Sequence, residues 1–335
     1  MKNGFAGGIR ILGRLTVVLL VFQSFVWSAT DSSAGASTDG LAAAISQTKL
    51  TKLINESINV NELPSAPKPS LSSLANNEDL GNPLNASACG YISTDAWQEP
   101  IAHCYFGDTA SKVTVALIGD SRASMYLGTF AKLGKLEHFK VLIIAKDGCP
   151  SPLGTYMTNN NGTLGDAPWT ACSKFHSYVF STLMKIKPKV IVISSNTEIA
   201  LTDPVRYLTA PEVQAHMTAL LSKLPTTSRV IVLGGFPQPA VAANPTLCLS
   251  RKPSSVKSCA FTPSAGTQAD NAAFASAAAA QGDVFVSQTP WFCTSICPAV
   301  IGDYIPYTID AYHADNTYLQ FLIGVLWSSI ERYVS

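Results

Sequence analysis

Val113-Thr114-Val115-Ala116-Leu117-Ile118-Gly119-Asp120-Ser121 joins a strand-length apolar run to a tight polar turn. The run is continuous rather than alternating, which fits a strand covered on both faces. Further runs of the same kind follow at Val141 to Ala145, Val190 to Ser194, Val230 to Gly234 and Val284 to Val286. Between them Ala123 to His138, Lys174 to Ile186 and Pro211 to Leu224 place apolar residues at helical spacing. The alternation predicts an α/β fold, a three-layer α/β/α sandwich around a central, mostly parallel five-stranded sheet. A closing helix is expected from Asn316 through Leu319, Leu322, Leu326 and Ile330, and the alanine-rich stretch Ala272 to Ala280 reads as a closely packed helix.

The rest of the chain is organised around that unit. Residues 1–36 read as an export signal or a retained membrane anchor, with Lys2, Arg10 and Arg14 on a basic flank, an apolar run from Leu15 to Ala29, and small residues at Ala34-Gly35-Ala36. The run is shorter than the roughly 20 residues a bilayer asks for and is interrupted by Gln23 and Ser24, which favours cleavage over anchoring through 15–29. Residues 37–87, rich in Ser, Ala, Asn and Pro, are expected to be a flexible linker, mobile or draped on the domain, with one amphipathic helix over Leu41 to Leu53. Residues 88–335 form the predicted catalytic domain. An exported chain is expected to be periplasmic or extracellular.

With 23 basic and 22 acidic residues the net charge is +1 and no like-charged run forms a patch, so nucleic acid is not an expected partner. The eight cysteines all follow the export segment, and an even number in an exported chain favours disulfides. Pairing neighbours gives Cys89 with Cys104, Cys149 with Cys172, Cys248 with Cys259 and Cys293 with Cys297. Zinc held by Cys293 and Cys297 would need a second close-spaced ligand pair, which the sequence lacks. No metal and no cofactor are expected.

In an open α/β sheet, ligands bind where the loops leave the carboxyl ends of the strands. Ser121 sits there, at the strand-to-helix turn, where its hydroxyl is exposed beside backbone amides. Such a serine needs a base. Of His103, His138, His176, His216 and His313, only His313 has a carboxylate three residues before it in a loop near the closing helix. In Asp310-Ala311-Tyr312-His313 the acid can accept from Nδ1 and leave Nε2 for the serine. Each residue also has an ordinary explanation, as cap, turn residue and surface side chain; their joint placement favours Ser121, His313 and Asp310 as a catalytic set.

These residues resemble the SGNH hydrolase family, in which a GDS serine and a late D-x-x-H supply nucleophile, acid and base. More narrowly, Ile118 to Ala123, Lys146-Asp147-Gly148-Cys149-Pro150, Phe292 to Pro298 and Asp310 to His313 are similar to the periplasmic SGNH domain fused to acyltransferase-3 type membrane acyltransferases. The resemblance implies an oxyanion hole made by the serine amide, Gly148 and Asn196. Ser194 and Thr197 flank Asn196 where the general family has glycine and an acid, and room for the Cys149-Pro150 turn explains Gly148 equally well. Arg122 stands where the fused domains have histidine, leaving open an anionic-sugar contact or a solvent-facing side chain, and Ala314-Asp315 replaces the Leu-Ser that tends to follow the family's histidine.

The implied activity is serine-dependent O-acyltransfer or esterase action on O-acyl, chiefly acetyl, groups of cell-envelope glycans or other acylated carbohydrates. An export segment in place of the fused proteins' membrane helices implies either a separate membrane acyltransferase as acyl donor or a free esterase. The alternative is a non-catalytic glycan-binding or scaffold module on the same fold.

Overall fold

The computed structural model describes residues 41, 44–75, 104–160, 163–197, 201–202, 206–239 and 243–335. The expected export segment, residues 1–36, lies outside them, as does Cys89. Among the described residues no helix is long and apolar enough to cross a membrane.

The five predicted strands are present and mutually parallel. They are β2 (Thr114–Gly119), β3 (Lys140–Ala145), β4 (Val190–Ser194), β5 (Arg229–Leu233) and β6 (Val284–Val286). The sheet has one strand more than expected: β1 (Tyr105–Gly107) runs antiparallel on β3, giving the order β1-β3-β2-β4-β5-β6. Three residues are too few to show a period, and β1 owes its state to the open edge of β3 rather than to its own pattern.

Side chains alternate across the sheet. Val115, Leu117, Val141, Ile143, Val190 and Val192 enter one core, while Ala116, Ile118, Leu142, Ile144, Ile191 and Ile193 enter the other. Both faces are covered, hence the uninterrupted apolar runs. The second core is closed by α4 (Thr170–Ile186), α5 (Ala210–Leu221) and α7 (Ala265–Gln281). Their ends follow local rules. Thr209 and Glu212 form a capping box, Ser264 Oγ accepts from the Thr267 amide, and Gly282 ends α7 at φ 71°. The alanines of α7 allow close packing on α5.

The first core is closed by α2 (Ser121–Met125), α3 (Leu127–Leu136), α8 (Asn316–Phe321) and α9 (Ile323–Val334). The sequence suggests single helices for α2–α3 and for α8–α9. Breaks fall at Tyr126 and Leu322, and Asp315, not Asn316, caps α8 by accepting from the Tyr318 amide.

Residues 37–87 were expected as a linker either mobile or draped on the domain, and part of this segment is packed on it. One compact unit runs from Ser37 to Ser335, and α1 (Gln47–Ser57) places Leu50 and Ile54 in the first core with no exposed surface. Burying two such side chains contributes roughly 4 kcal/mol before ordering costs. Polar ties add to it: Gln47 Nε2 donates to the Pro290 carbonyl at 3.0 Å, and the Gly302 amide donates to Ser57 Oγ at 2.9 Å. The helix overlaps the amphipathic helix read over Leu41 to Leu53 and ends four residues later, at Ser57.

Disulfides join Cys149 to Cys172, Cys248 to Cys259 and Cys293 to Cys297, as pairing of neighbours predicts. Cys104 is also disulfide-bonded, and its expected partner Cys89 lies outside the described residues.

Candidate active site

Strand β2 is flanked by β3 and β4, so its carboxyl end opens at the middle of the sheet. Gly119 is the last residue of that strand, with φ 153°. A Cβ there would stand 1.9 Å from the Ser194 carbonyl oxygen of β4, so only glycine lets the turn form at this pairing distance. Asp120 then caps α2: its Oδ1 accepts from the Arg122 amide at 2.8 Å. Ser121 follows, half-buried at the helix start. Among the described residues its own amide N–H has no hydrogen-bond partner.

The loop before α8 brings the other two residues. Thr308 Oγ1 donates to Asp310 Oδ1 at 2.6 Å, and that oxygen also accepts from the amides of Tyr312 at 2.8 Å and His313 at 3.1 Å. Ala311 makes the turn at φ 58°, a conformation uncommon for a side-chain-bearing residue, and so wraps the amides around the carboxylate. The other oxygen, Asp310 Oδ2, lies 2.7 Å from His313 Nδ1, and His313 Nε2 lies 2.8 Å from Ser121 Oγ. Burial alone would raise the Asp310 pKa. The His313 hydrogen bond and charge, with donors from Thr308 and Tyr312, overcome it and hold the carboxyl well below the ordinary range. An ionised carboxylate only accepts, so Nδ1 carries the proton and Nε2 is left to accept the serine hydroxyl.

Asp120 is the hub that joins the loops. Its Oδ2 accepts from Ser195 Oγ at 2.9 Å and from the Asn196 amide at 2.7 Å, while Ser195 Oγ accepts from the Ser151 amide at 2.8 Å. The ends of β2 and β4 and the loop after β3 are thus tied through one carboxylate. Asp120 is 1% exposed, and burial raises its pKa to about 6 against the opposing pull of these donors and of Arg122. At neutral pH it is ionised and accepts all three donors.

The predicted residues therefore divide. Ser121, His313 and Asp310 are brought into direct hydrogen-bonding contact. Asn196 is brought beside the serine turn through its backbone, which is bonded to Asp120. Gly148 lies in the neighbouring loop at φ 70°, in a turn closed by the Cys149 amide on the Lys146 carbonyl at 3.1 Å, with the Trp169 ring 3.4 Å from where a Cβ would be. That turn accounts for the glycine by itself. Arg122 does not face solvent: it is 3% exposed and its guanidinium lies 4.1 Å from the centre of the Phe236 ring. Sequence reasoning missed Ser195 and the hub role of Asp120, whose partners are 75 and 76 residues away. Thr308 was also missed, though a hydroxyl two residues before an acid is a local turn signal.

Among the described residues one cluster has metal-ligand chemistry, Cys149, Cys172 and His176, and its two sulfurs are joined to each other. The His176 Nε2 is 2.8 Å from the Pro150 carbonyl. These atoms serve structure, not metal binding.

A family model described as the SGNH domain (fused to AT3 domains) matches residues 88–326. Among solved structures, the periplasmic domain of a lipopolysaccharide acetyltransferase from Salmonella ser. Paratyphi A aligns with TM-score 0.50 at 11% identity, over 87% of this chain and 98% of that one. A GDSL-like lipase from Bacteroides thetaiotaomicron VPI-5482 aligns with TM-score 0.40 at 15% identity, over 65% and 88%. No curated protein matches.

Proposed function

Because the chain belongs to the SGNH domain family, we propose that it is an extracytoplasmic serine O-acyltransferase or esterase acting on O-acyl, chiefly acetyl, groups of cell-envelope glycans. The observation that carries this reading is the continuous Asp310–His313–Ser121 hydrogen-bond chain at 2.7 and 2.8 Å.

In the proposed reaction Ser121 Oγ attacks the ester carbonyl while its proton passes to His313 Nε2. Asp310 holds the imidazole in the required tautomer and stabilises the imidazolium. The carbonyl oxygen becomes an oxyanion, held by the Ser121 amide with Asn196 and Gly148. The tetrahedral intermediate collapses, the C–O bond to the leaving alcohol breaks, and the alcohol takes the proton from His313. The acyl group is now an ester of Ser121. In the second half His313 removes a proton from a glycan hydroxyl or water, that oxygen attacks the acyl-enzyme, and Ser121 is regenerated with the proton returned. Transfer and hydrolysis differ only in the second nucleophile, and no cofactor takes part.

The family description, a domain fused to AT3 domains, supports a membrane acyltransferase as the source of acyl groups. The likeness of fold to the lipopolysaccharide acetyltransferase domain suggests an envelope glycan as acceptor. Buried disulfides accord with an oxidising compartment outside the cytoplasm. The test is turnover of p-nitrophenyl acetate together with labelling by a serine-directed fluorophosphonate. Wild type should do both, and labelling should map to Ser121. Folded protein that does neither would leave the binding-module reading in its place.

A further inference from the structure

Away from the serine, the described residues form a surface cleft of about 430 Å³ bordered by Asn244, Leu247, Arg251, Lys252 and Ser258. That volume falls within the range of small-ligand pockets. Its wall is α6 (Pro245–Arg251), closed at the far side by the Cys248–Cys259 disulfide.

Arg251 and Lys252 are exposed, and neither side chain is in an ion pair or hydrogen bond among the described residues. Between Glu212 and Asp270 the chain has no acidic residue, and the acid that the fold brings near this turn is Glu62, whose neighbour Leu63 donates its amide to the Pro253 carbonyl at 2.9 Å. Cations that merely end a helix stand on open surface; these two border a volume able to enclose a ligand.

The cleft is fixed to the loop that carries the acid and base. Asn244 caps α6 with its Oδ1 and donates Nδ2 to the Ile309 carbonyl at 2.6 Å, and Thr246 Oγ1 donates to the Tyr307 carbonyl at 2.8 Å. Ile309 directly precedes Asp310, so with consecutive Cα atoms about 3.8 Å apart the Asn244 end of the cleft lies on the order of 10 Å from His313. A chain whose hydroxyl sits at His313 would reach the Asn244 end of the cleft first, and Arg251 and Lys252, at the other end of the seven-residue α6, lie about 10 Å farther on at ~1.5 Å rise per residue.

We propose that this cleft is an acceptor subsite for an anionic saccharide, in which Arg251 and Lys252 hold a carboxylate or phosphate of a sugar a few units along the chain from the one being acylated. The proposal rests on the acyl-transfer reading above and names its substrate class. Arginine suits bidentate contact with either group, and lysine adds a point charge.

The experiment measures binding of trigalacturonate, phosphorylated maltotriose and plain maltotriose to wild type and to the Arg251→Gln/Lys252→Gln double variant, by titration calorimetry at low salt and in about 0.5 M NaCl. The two charged ligands distinguish carboxylate from phosphate. At least one should bind roughly tenfold or more tightly than maltotriose, with the margin lost in high salt and in the double variant. Both variant side chains are exposed and unbonded, so p-nitrophenyl acetate turnover should be unchanged. Equal binding of neutral and charged ligands, no binding of any of the three, or full retention by the double variant would overturn the subsite. Failure of the acyl-transfer reading shows separately, as absence of turnover in wild type.

Discussion

His313 Nε2 stands 2.8 Å from Ser121 Oγ although 192 positions separate them in the chain. The contact is made by two rigid supports. One is the Asp120-capped turn after the central strand. The other is the Asp310 loop, seated on α8, whose cap Asp315 has an amide bonded to the Pro306 carbonyl at 2.9 Å. Both hold their residues through backbone hydrogen bonds, which makes the geometry a property of the fold rather than of one flexible side chain.

Replacing Ser121 with alanine should therefore remove the proposed nucleophile and little else. Turnover of p-nitrophenyl acetate is expected to fall by about 10⁴-fold or more, with the thermal midpoint nearly unchanged. Ser124, buried one helical turn on with its hydroxyl toward the Asp120 carbonyl, is the control, and Ser124→Ala should keep fluorophosphonate labelling.

Asp310→Asn tests orientation apart from nucleophilicity. Its carbonyl oxygen can still accept from Thr308 and the two amides, but its NH₂ faces His313 Nδ1 and can only donate. The imidazole is forced into the wrong tautomer. A fall in kcat of roughly 10³- to 10⁴-fold is expected, with KM little changed, and an imidazole ring that keeps its place by NMR.

Gly119→Ala should fail for a steric reason. The added methyl would stand 1.9 Å from the Ser194 carbonyl and 2.9 Å from Ala123 Cβ, and both lie in packed elements. The β2–β4 pairing must open, at a cost of at least about 2 kcal/mol, seen as a lowered denaturant midpoint. Gly282→Ala is the comparison: nothing lies within 4 Å and only the φ of 71° is against it, so a loss near 1 kcal/mol is expected.

Much of this arrangement was legible beforehand, for identifiable reasons. Five strands showed as apolar runs because helices cover both sheet faces, and Ser121, Asp310 and His313 showed because the acid and base are neighbours in sequence and the serine marks a strand end. What was missed depends on distant partners. Strand β1 needs the edge of β3, the docking of α1 needs the groove beside Pro290 and Gly302, and Arg122 is buried against the Phe236 ring. No window of sequence contains such pairs. A cap was the ordinary explanation for Ser121, but the cap of α2 is Asp120, and its second oxygen ties three strand-end loops together.

The cysteine pairing can be tested through loop length. Cys149 and Cys172 close a span of 23 residues between the Gly148 turn and α4. Removing this cross-link by Cys149→Ser/Cys172→Ser should cost roughly 3 kcal/mol of stability, and a reductant, which opens the other disulfides as well, should cost wild type more.

The two site carboxylates predict opposite responses to pH. The Asp310 pKa is lowered in the fold, so its stabilisation is full above the unfolded value of 3.8 and is lost as pH falls toward the folded one. The Asp120 pKa is raised to about 6 from 3.8, so its contribution is full below 3.8 and is lost as pH rises through 6. Asparagine at either position is neutral throughout and serves as the reference. The stability gap between wild type and Asp310→Asn should be constant from pH 7 to about 5 and close at lower pH. The gap between wild type and Asp120→Asn should instead shrink as pH rises from 4 to 7, by up to roughly 3 kcal/mol for a shift of this size. Denaturant titrations across that range decide it: two gaps moving in the same direction would mean that burial does not govern Asp120, and that the hub is held ionised by its donors alone.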